Sequence, residues 1–482
     1  MLRKAINRYK ALQAPVKASL WFLICGFLQK GISTLTTPIF TRIMTDAEYG
    51  RFAVYNSWLG IVQIIISLNL AAGVYTRGLV KNDHDQDRFS SSMLGLSTTC
   101  IMLWSLVYAL FHRQINALLG MSTLLMVAML LDTWAHAAYQ FWSNRERVHY
   151  RYKKLVVLTL SYVILRPLLG VILVLQAKAD LQVEARVLAT VGVNLALFTG
   201  LYFSITRKGR HFFDKQYWLY ALKFNIPLVP HYLSQIVLNQ SDRLMINRIC
   251  GPQETAYYSV AYTIAMVLQI FNNSVSGTMN PWIYKTIKKG EFHKIGPVSY
   301  TVLLMIGLLN VSVVLIAPEI LSILAPGSYQ AAVWVIPPVT VSVYFMFLYN
   351  LFATFEYYYE KTSYVAIATV IGAVLNIALN ALLIPKFGFI AAGYTTLVCY
   401  ILYSLAHYLL MRKTCKECAE GVRVYDARII IAIGIGLIAV SAVGMLLYKT
   451  VVIRYCVLLC LCVLAIWKRR GFTDIMKKLK QK

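Results

Sequence analysis

The chain has 482 residues, 59% of them hydrophobic and only 14% charged, and its mean hydropathy is +0.61. This composition excludes an ordinary soluble domain and a disordered chain, and places the sequence among polytopic all-α membrane proteins. The formal charge of +27 does not mark a nucleic-acid binder, because nearly all the charges sit in short loops between apolar runs.

The basic start, residues 1–17, leads into a span too long for a signal peptide and with no small-residue cleavage site, so it reads as a cytoplasmic N-terminus. About fourteen segments are long enough to cross a hydrocarbon core of roughly 30 Å. Six at 18–41, 52–76, 91–111, 118–142, 155–176 and 184–206 make an N-terminal lobe, 18–206. A cytoplasmic linker at 207–217 joins it to a second lobe, 218–411, with spans at 219–246, 255–280, 298–320, 332–355, 363–384 and 388–411. A cytoplasmic loop at 412–426 precedes two appended spans, 427–447 and 450–467, and a basic tail at 468–482. With the N-terminus inside, the inner loops hold most of the 47 Lys and Arg residues, so both termini read as cytoplasmic. No connection exceeds about twenty residues, which leaves no room for a soluble catalytic domain.

The two lobes are a duplication. At one constant offset Arg42 matches Arg248, Ile43 matches Ile249, Glu48 matches Glu254, Val54 matches Val260, and Gln63-Ile64 matches Gln269-Ile270. The register holds without gaps, as homologous halves require.

Polar residues inside the spans recur at helical spacing. Lys30, Ser33, Thr34, Thr37 and Thr41 share a face of the first span, and Asn56, Gln63 and Ser67 one of the second. The fourth carries Asp132, His136, Gln140 and Asn144; the seventh His231, Gln235, Asn239 and Asp242; the eighth Tyr262, Gln269, Asn273 and Ser276; the eleventh Asn376 and Asn380. A single stripe can be glue between helices, whereas stripes on several helices of both halves point to a hydrated cavity. Pro227 and Pro230 interrupt the seventh span and are expected to act as its hinge.

Lys30 lies twelve residues from Arg42, about 18 Å along a helix and so near the midplane. A lysine at that depth must be paired or wet. Two readings stay open: an anion site, or a structural pair with Asp132. Arg166, beside Pro167, either faces the cavity or caps carbonyls freed by the proline. Lys30 and Arg166 are the only basic residues this reading places near the bilayer interior. Asp132 and His136, one turn apart, suit proton exchange, but a satisfied buried pair is the reading preferred for them. Asp242-Arg243 reads as an outer gate or anchor. Most of the nine cysteines fall inside spans and read as small apolar residues; the lone CKEC of Cys415 and Cys418 has no second pair, so no metal site is expected. No catalytic constellation or phosphate loop is present.

Three stretches carry a family resemblance: GFLQKGISTLTTPIFTRIMTDAEYGRF, KFNIPLVPHYLSQIVLNQSDRLMI and AYYSVAY. The chain resembles the multidrug/oligosaccharidyl-lipid/polysaccharide flippase superfamily, and within it the bacterial Wzx-type repeat-unit flippases of O-antigen and capsule assembly. The resemblance implies two six-helix lobes forming a V around a cavity, with alternating access. It implies an inner-membrane protein that is not an enzyme and has no cofactor. The cargo would be a polyprenyl-pyrophosphate-linked oligosaccharide, flipped from the cytoplasmic to the periplasmic leaflet and driven by the membrane potential or an H+/Na+ gradient. A polysaccharide polymerase and a chain-length regulator would be partners, and nucleic acid would not. Cationic residues of the first helices face the cavity in related flippases, and that role falls here on Lys30. The expected sugar-contacting set is Thr37, Asn56, Gln63, His231, Gln235, Asn239, Gln269 and Asn273, since each buried sugar hydroxyl needs a polar partner. The competing readings are a multidrug/cation antiporter of the same superfamily, which calls for an acidic cavity, and a membrane-embedded polymerase or ligase, which calls for a large outer loop.

Overall fold

The computed structural model describes residues 14–467; the basic segments up to residue 13 and from residue 468 lie outside them. The described residues form seventeen α-helices and no strand. In chain order these are α1 (Ala14–Ile43), α2 (Asp46–Ser67), α3 (Gly73–Lys81), α4 (Gln86–Leu119), α5 (Thr123–Val148), α6 (Tyr152–Gln176), α7 (Gln182–Gly209) and α8 (Lys215–Asn225). They continue with α9 (Val229–Ile249), α10 (Pro252–Lys288), α11 (Ile295–Leu315), α12 (Ala317–Leu324) and α13 (Ile336–Tyr358). The last four are α14 (Thr362–Phe387), α15 (Ile390–Cys418), α16 (Ala427–Leu446) and α17 (Val451–Trp467).

Every expected span falls on a helix, with α8 and α9 sharing the seventh. Among the described residues nine helical stretches are long and apolar enough to cross a membrane. The long helices outside that set are α2, α5, α9 and α10, four of those that carry polar stripes. Their polarity is what lowers their hydropathy, and in a membrane such residues must face protein or water.

Three expected spans are interrupted; the ninth, expected at 298–320, passes from α11 to α12 at Ile316. The second was expected to run through 52–76, but α2 stops at Ser67, where Leu68 and Asn69 take left-handed backbone (φ 50° and 52°). The carbonyls freed there are capped from elsewhere: the Asn225 amide donates to Leu68 O at 2.6 Å and the Asn144 amide to Ala71 O at 2.6 Å. The chain then restarts as the short α3. In the seventh span, Pro227 sits in a single 3-10 turn, Ile226–Leu228, that separates α8 from α9, and Pro230 is the second residue of α9. A proline removes a donor and clashes with the preceding turn, which ends α8 there.

Local signals set the other helix starts. Thr45 caps α2 by accepting from Glu48 N at 3.2 Å, the first half of a capping box. Asp214 caps α8 by accepting from the backbone N–H groups of Gln216 at 3.0 Å and Tyr217 at 3.2 Å. The duplication is visible here: Arg42 and Arg248 each close a helix in its last turn, and Glu48 and Glu254 each open the next.

The chain divides into two compact units, residues 1–240 and 241–482, so the division falls inside α9 and not in the 207–217 linker. In the first unit α7 packs against α4, α5 and α6, and α1 packs on α6. Its core includes Tyr75, Phe89 and Phe141, with a second cluster around Tyr139, Tyr162 and Phe198. In the second unit α13 is the most buried span and packs against α10, α11 and α15.

Candidate functional site

The first unit holds a polar cavity of about 520 Å³ between α1, α2, α6 and α7. Gln29, Lys30, Ser33 and Thr36 line it from α1, Phe52 and Asn56 from α2, Tyr162 and Arg166 from α6, and Arg186 and Thr190 from α7. Among the described residues its lining therefore holds three cations and no carboxylate. Three positive charges in one cavity repel each other, which is tolerable in a membrane only if the cavity is wet or holds an anion.

Each cation is held differently. Lys30 is exposed to the cavity, and among the described residues it makes no ion pair. Arg166 donates from Nε to Asn194 Oδ1 at 2.7 Å, and its guanidinium carbon lies 4.3 Å from the Tyr162 ring centroid. Tyr162 is in turn fixed by the Gln29 amide, which donates to its hydroxyl. Arg186 is clamped between two rings, 3.6 Å from the Phe40 centroid and 3.7 Å from that of Phe52. Aromatic faces hold a guanidinium flat, and Arg186 also donates from Nη1 to Met44 Sδ at 3.6 Å. The cavity thus offers a flexible point charge and two oriented forks, a donor set suited to phosphate oxygens.

Sequence reading did not single out Arg186, the fifth residue of α7. The signal was there: Arg186, Thr190 and Asn194 stand at i, i+4 and i+8 on one face of α7. Arg186 lines the same cavity as Lys30 and Arg166.

Asp132 is buried behind the cavity and does not line it. The Asn194 amide donates to its Oδ1, so Asn194 bridges Asp132 to Arg166. The open alternative of a Lys30–Asp132 pair is replaced by this relay. Asp132 also makes no hydrogen bond to His136 among the described residues; the His136 ring instead packs near Tyr139 and Phe198, with centroids 5.6 and 6.2 Å away.

Residues 16–287, more than half of the chain, match the family described as polysaccharide biosynthesis protein. The chain belongs to that family. A second family, MatE, matches residues 227–382 of this polysaccharide biosynthesis family member. The chain is 22% identical over 392 residues to Lsg locus putative protein 1 of Haemophilus influenzae, covering 75% of this chain and 89% of that one. It is 22% identical over 404 residues to the probable low-salt glycan biosynthesis flippase Agl15 of Haloferax volcanii, covering 82% and 83% of the two chains. Its fold is similar to that of the lipid II flippase MurJ in an inward closed conformation, with a TM-score of 0.72 at 13% identity over 94% of this chain and 100% of that chain. The family member described here is accordingly a polytopic, all-helical protein of the flippase superfamily that the sequence resembles.

The remaining expected residues are dispersed. Thr37 is buried and its hydroxyl donates to Ser33 O at 3.3 Å, so it supports α1 and does not line the cavity. Thr34 likewise bonds back to Lys30 O at 3.0 Å, so the α1 stripe is partly satisfied by its own backbone. Gln63 lies two turns beyond Asn56 on α2. On α9, His231 is half-buried, Gln235 is exposed, and the Asn239 amide donates to Gln235 O at 2.7 Å. Gln269 and Asn273 lie on α10, in the second unit.

Asp242 belongs to a buried network of the second unit. It accepts from the Tyr258 hydroxyl at 2.6 Å, the Asn380 amide at 2.6 Å and the Thr396 hydroxyl at 2.9 Å. Asn376 extends it by accepting from Ser241 at 2.8 Å and from Asn380 at 3.2 Å. The Arg243 guanidinium lies 4.4 Å from the Tyr262 ring centroid. Another unforeseen pair lies in this unit: His407 Nδ1 is 2.9 Å from Glu356 Oε1, and both side chains are fully buried.

Proposed function

We propose that this protein is a flippase that moves polyprenyl-pyrophosphate-linked oligosaccharide repeat units from the cytoplasmic to the periplasmic leaflet, for assembly of a surface polysaccharide such as O-antigen or capsule. The observation that carries this reading is the cavity with three cations and no carboxylate. A pyrophosphate needs buried positive charge, sugar hydroxyls need polar partners, and a lipid tail needs neither and can stay in the bilayer. The names of the relatives support glycan-lipid transport, and a cation exporter would be poorly served by this cavity. The protein would act without cofactor and without making or breaking covalent bonds. The test is lipid analysis of a deletion strain. Accumulation of the lipid-linked single repeat unit on the cytoplasmic side, with loss of surface polysaccharide, is expected; normal surface polysaccharide would refute the proposal.

The proposed topology places both termini in the cytoplasm, in the bacterial inner membrane, from the distribution of Lys and Arg. A reporter fused after Lys482 or inserted between Arg145 and Lys154 is expected to read cytoplasm, and one near Gly251 periplasm. A periplasmic signal from the C-terminal fusion would overturn the orientation.

Pro227 and Pro230 are proposed as the hinge of the seventh span, on the strength of the 3-10 turn that contains Pro227 and ends just before α9. Replacing both with Ala is expected to leave membrane abundance near normal and to slow flipping several-fold. Full activity in the double variant would reduce them to packing residues.

A further inference from the structure

A second cavity, of about 590 Å³, lies at one end of the first unit, where the last turns of α5 and α7 meet the start of α6. Arg151, Lys153, Lys154 and Lys208 line it, with Glu146 as the only carboxylate among the described residues of its lining. Among the described residues these four cations make no ion pair. Their neighbours are engaged: Arg145 pairs with Asp87 at 2.6 Å, and Arg147 lies 4.9 Å from the Phe22 ring centroid. The connecting turn is fixed as well. Tyr150 takes left-handed backbone (φ 56°), and the next residue's amide, Arg151 N, donates back to Glu146 O at 2.8 Å. His149 Nε2 lies 2.7 Å from Gln86 Oε1, tying the turn to α4. The result is a pinned basic pocket at a span terminus.

The rest of the wall is Trp142, Tyr150, Tyr152, Leu201 and Ser204, aromatic and apolar apart from the serine. Tyr152 is stacked on Trp21, with centroids 6.1 Å apart. Rings with an apolar body and a polar edge settle at the level of lipid headgroups, and Lys and Arg at that level attract anionic lipid. A water-borne anion needs the cations but gains nothing from the apolar wall, whereas a lipid headgroup uses both. The volume suits a headgroup with its glycerol. We infer that this pocket binds the phosphate headgroup of an anionic phospholipid of the surrounding bilayer. It is separate from the cavity of Lys30, Arg166 and Arg186 and shares no residue with it, so it stands whether or not that cavity binds pyrophosphate.

The test uses the full-length protein in detergent with phosphatidylglycerol or phosphatidylcholine of identical acyl chains, bound lipid being counted by native mass spectrometry. Wild type is expected to retain phosphatidylglycerol in preference. The R151A/K153A/K154A/K208A variant is expected to lose about tenfold or more of that affinity. The K285A/K288A/K289A variant, which removes three cations from the end of α10, is expected to lose none. Lys208→Glu, in the exposed last turn of α7, is a second variant expected to weaken phosphatidylglycerol binding even if the quadruple variant does not fold. Equal retention by all variants, no preference over phosphatidylcholine, or equal loss in the α10 variant would overturn the inference. Free pyrophosphate stripping the lipid at equal concentration would show a site for water-borne anions and would also overturn it. So would polyprenyl pyrophosphate displacing phosphatidylglycerol at tenfold lower concentration, which would make the pocket a cargo site.

Discussion

Lys30→Ala and Lys30→Glu are expected to reduce flipping to a few per cent of wild type with the protein still in the membrane, and Lys30→Arg to keep substantial activity. Lys30 lines the cavity, is exposed to it and has no ion-pair partner among the described residues. Its removal therefore strands no buried carboxylate and leaves folding intact. What it costs is one charge-assisted contact to cargo, about 1.5–3 kcal/mol, a factor of roughly 10–150. Glu in its place adds repulsion to that loss. Arg restores the charge and differs only in its fork geometry. Were Lys30 instead the structural partner of Asp132, the Ala variant would be depleted from the membrane and Asp132→Asn would rescue it. The structure gives Asp132 to Asn194, so no rescue is expected. Membrane abundance and surface polysaccharide measured together in the four variants separate these outcomes, and a stable, fully active Lys30→Ala protein would contradict the assignment.

Asp242→Leu is expected to destabilise the second unit by about 3 kcal/mol or more. Three buried donors, Tyr258, Asn380 and Thr396, converge on this carboxylate, which is 1% exposed. A buried donor left without its acceptor costs about 1–3 kcal/mol, and a leucine satisfies none of the three. Asp242→Asn keeps the shape and one acceptor oxygen, so its loss should be smaller. Thermal unfolding of the purified protein in detergent checks both, with the order wild type, Asn, Leu in falling midpoint. An Asp242→Leu protein with the midpoint of wild type would show that the network does not hold the unit together.

The spans were legible because an apolar run of some twenty residues needs no tertiary information to be recognised. The end of α2 was not legible. Leu68–Ala71 reads as more of the same apolar run, and what breaks it is a pair of amides from Asn144 and Asn225, far away in the chain. Asn144 thereby turns from a member of a polar stripe into a backbone cap. Lys30 and Arg166 could be picked out by depth alone, but their meeting with Arg186 in one cavity depends on how α1, α6 and α7 pack. The aromatic clamp of Phe40 and Phe52 on Arg186 has no local signature, and neither has the pairing of Glu356 with His407, which joins α13 to α15. Periodicity shows which side of a helix is polar; it does not show which helix that side meets.

The most direct test of the proposal that this cavity binds pyrophosphate is transport in vesicles containing the purified full-length protein and a fluorescent polyprenyl-pyrophosphate-linked oligosaccharide, with an imposed membrane potential. Moving negative charge outward runs with an inside-negative potential, and a cargo carrying two charges across the full field gains roughly 4–5 kcal/mol per 100 mV. Flipping is expected to be accelerated by an inside-negative potential, to be lost in Lys30→Ala, and to outpace that of the same lipid carrying an uncharged linkage. Transport no faster than in protein-free vesicles, or equal transport of the uncharged analogue, would contradict it.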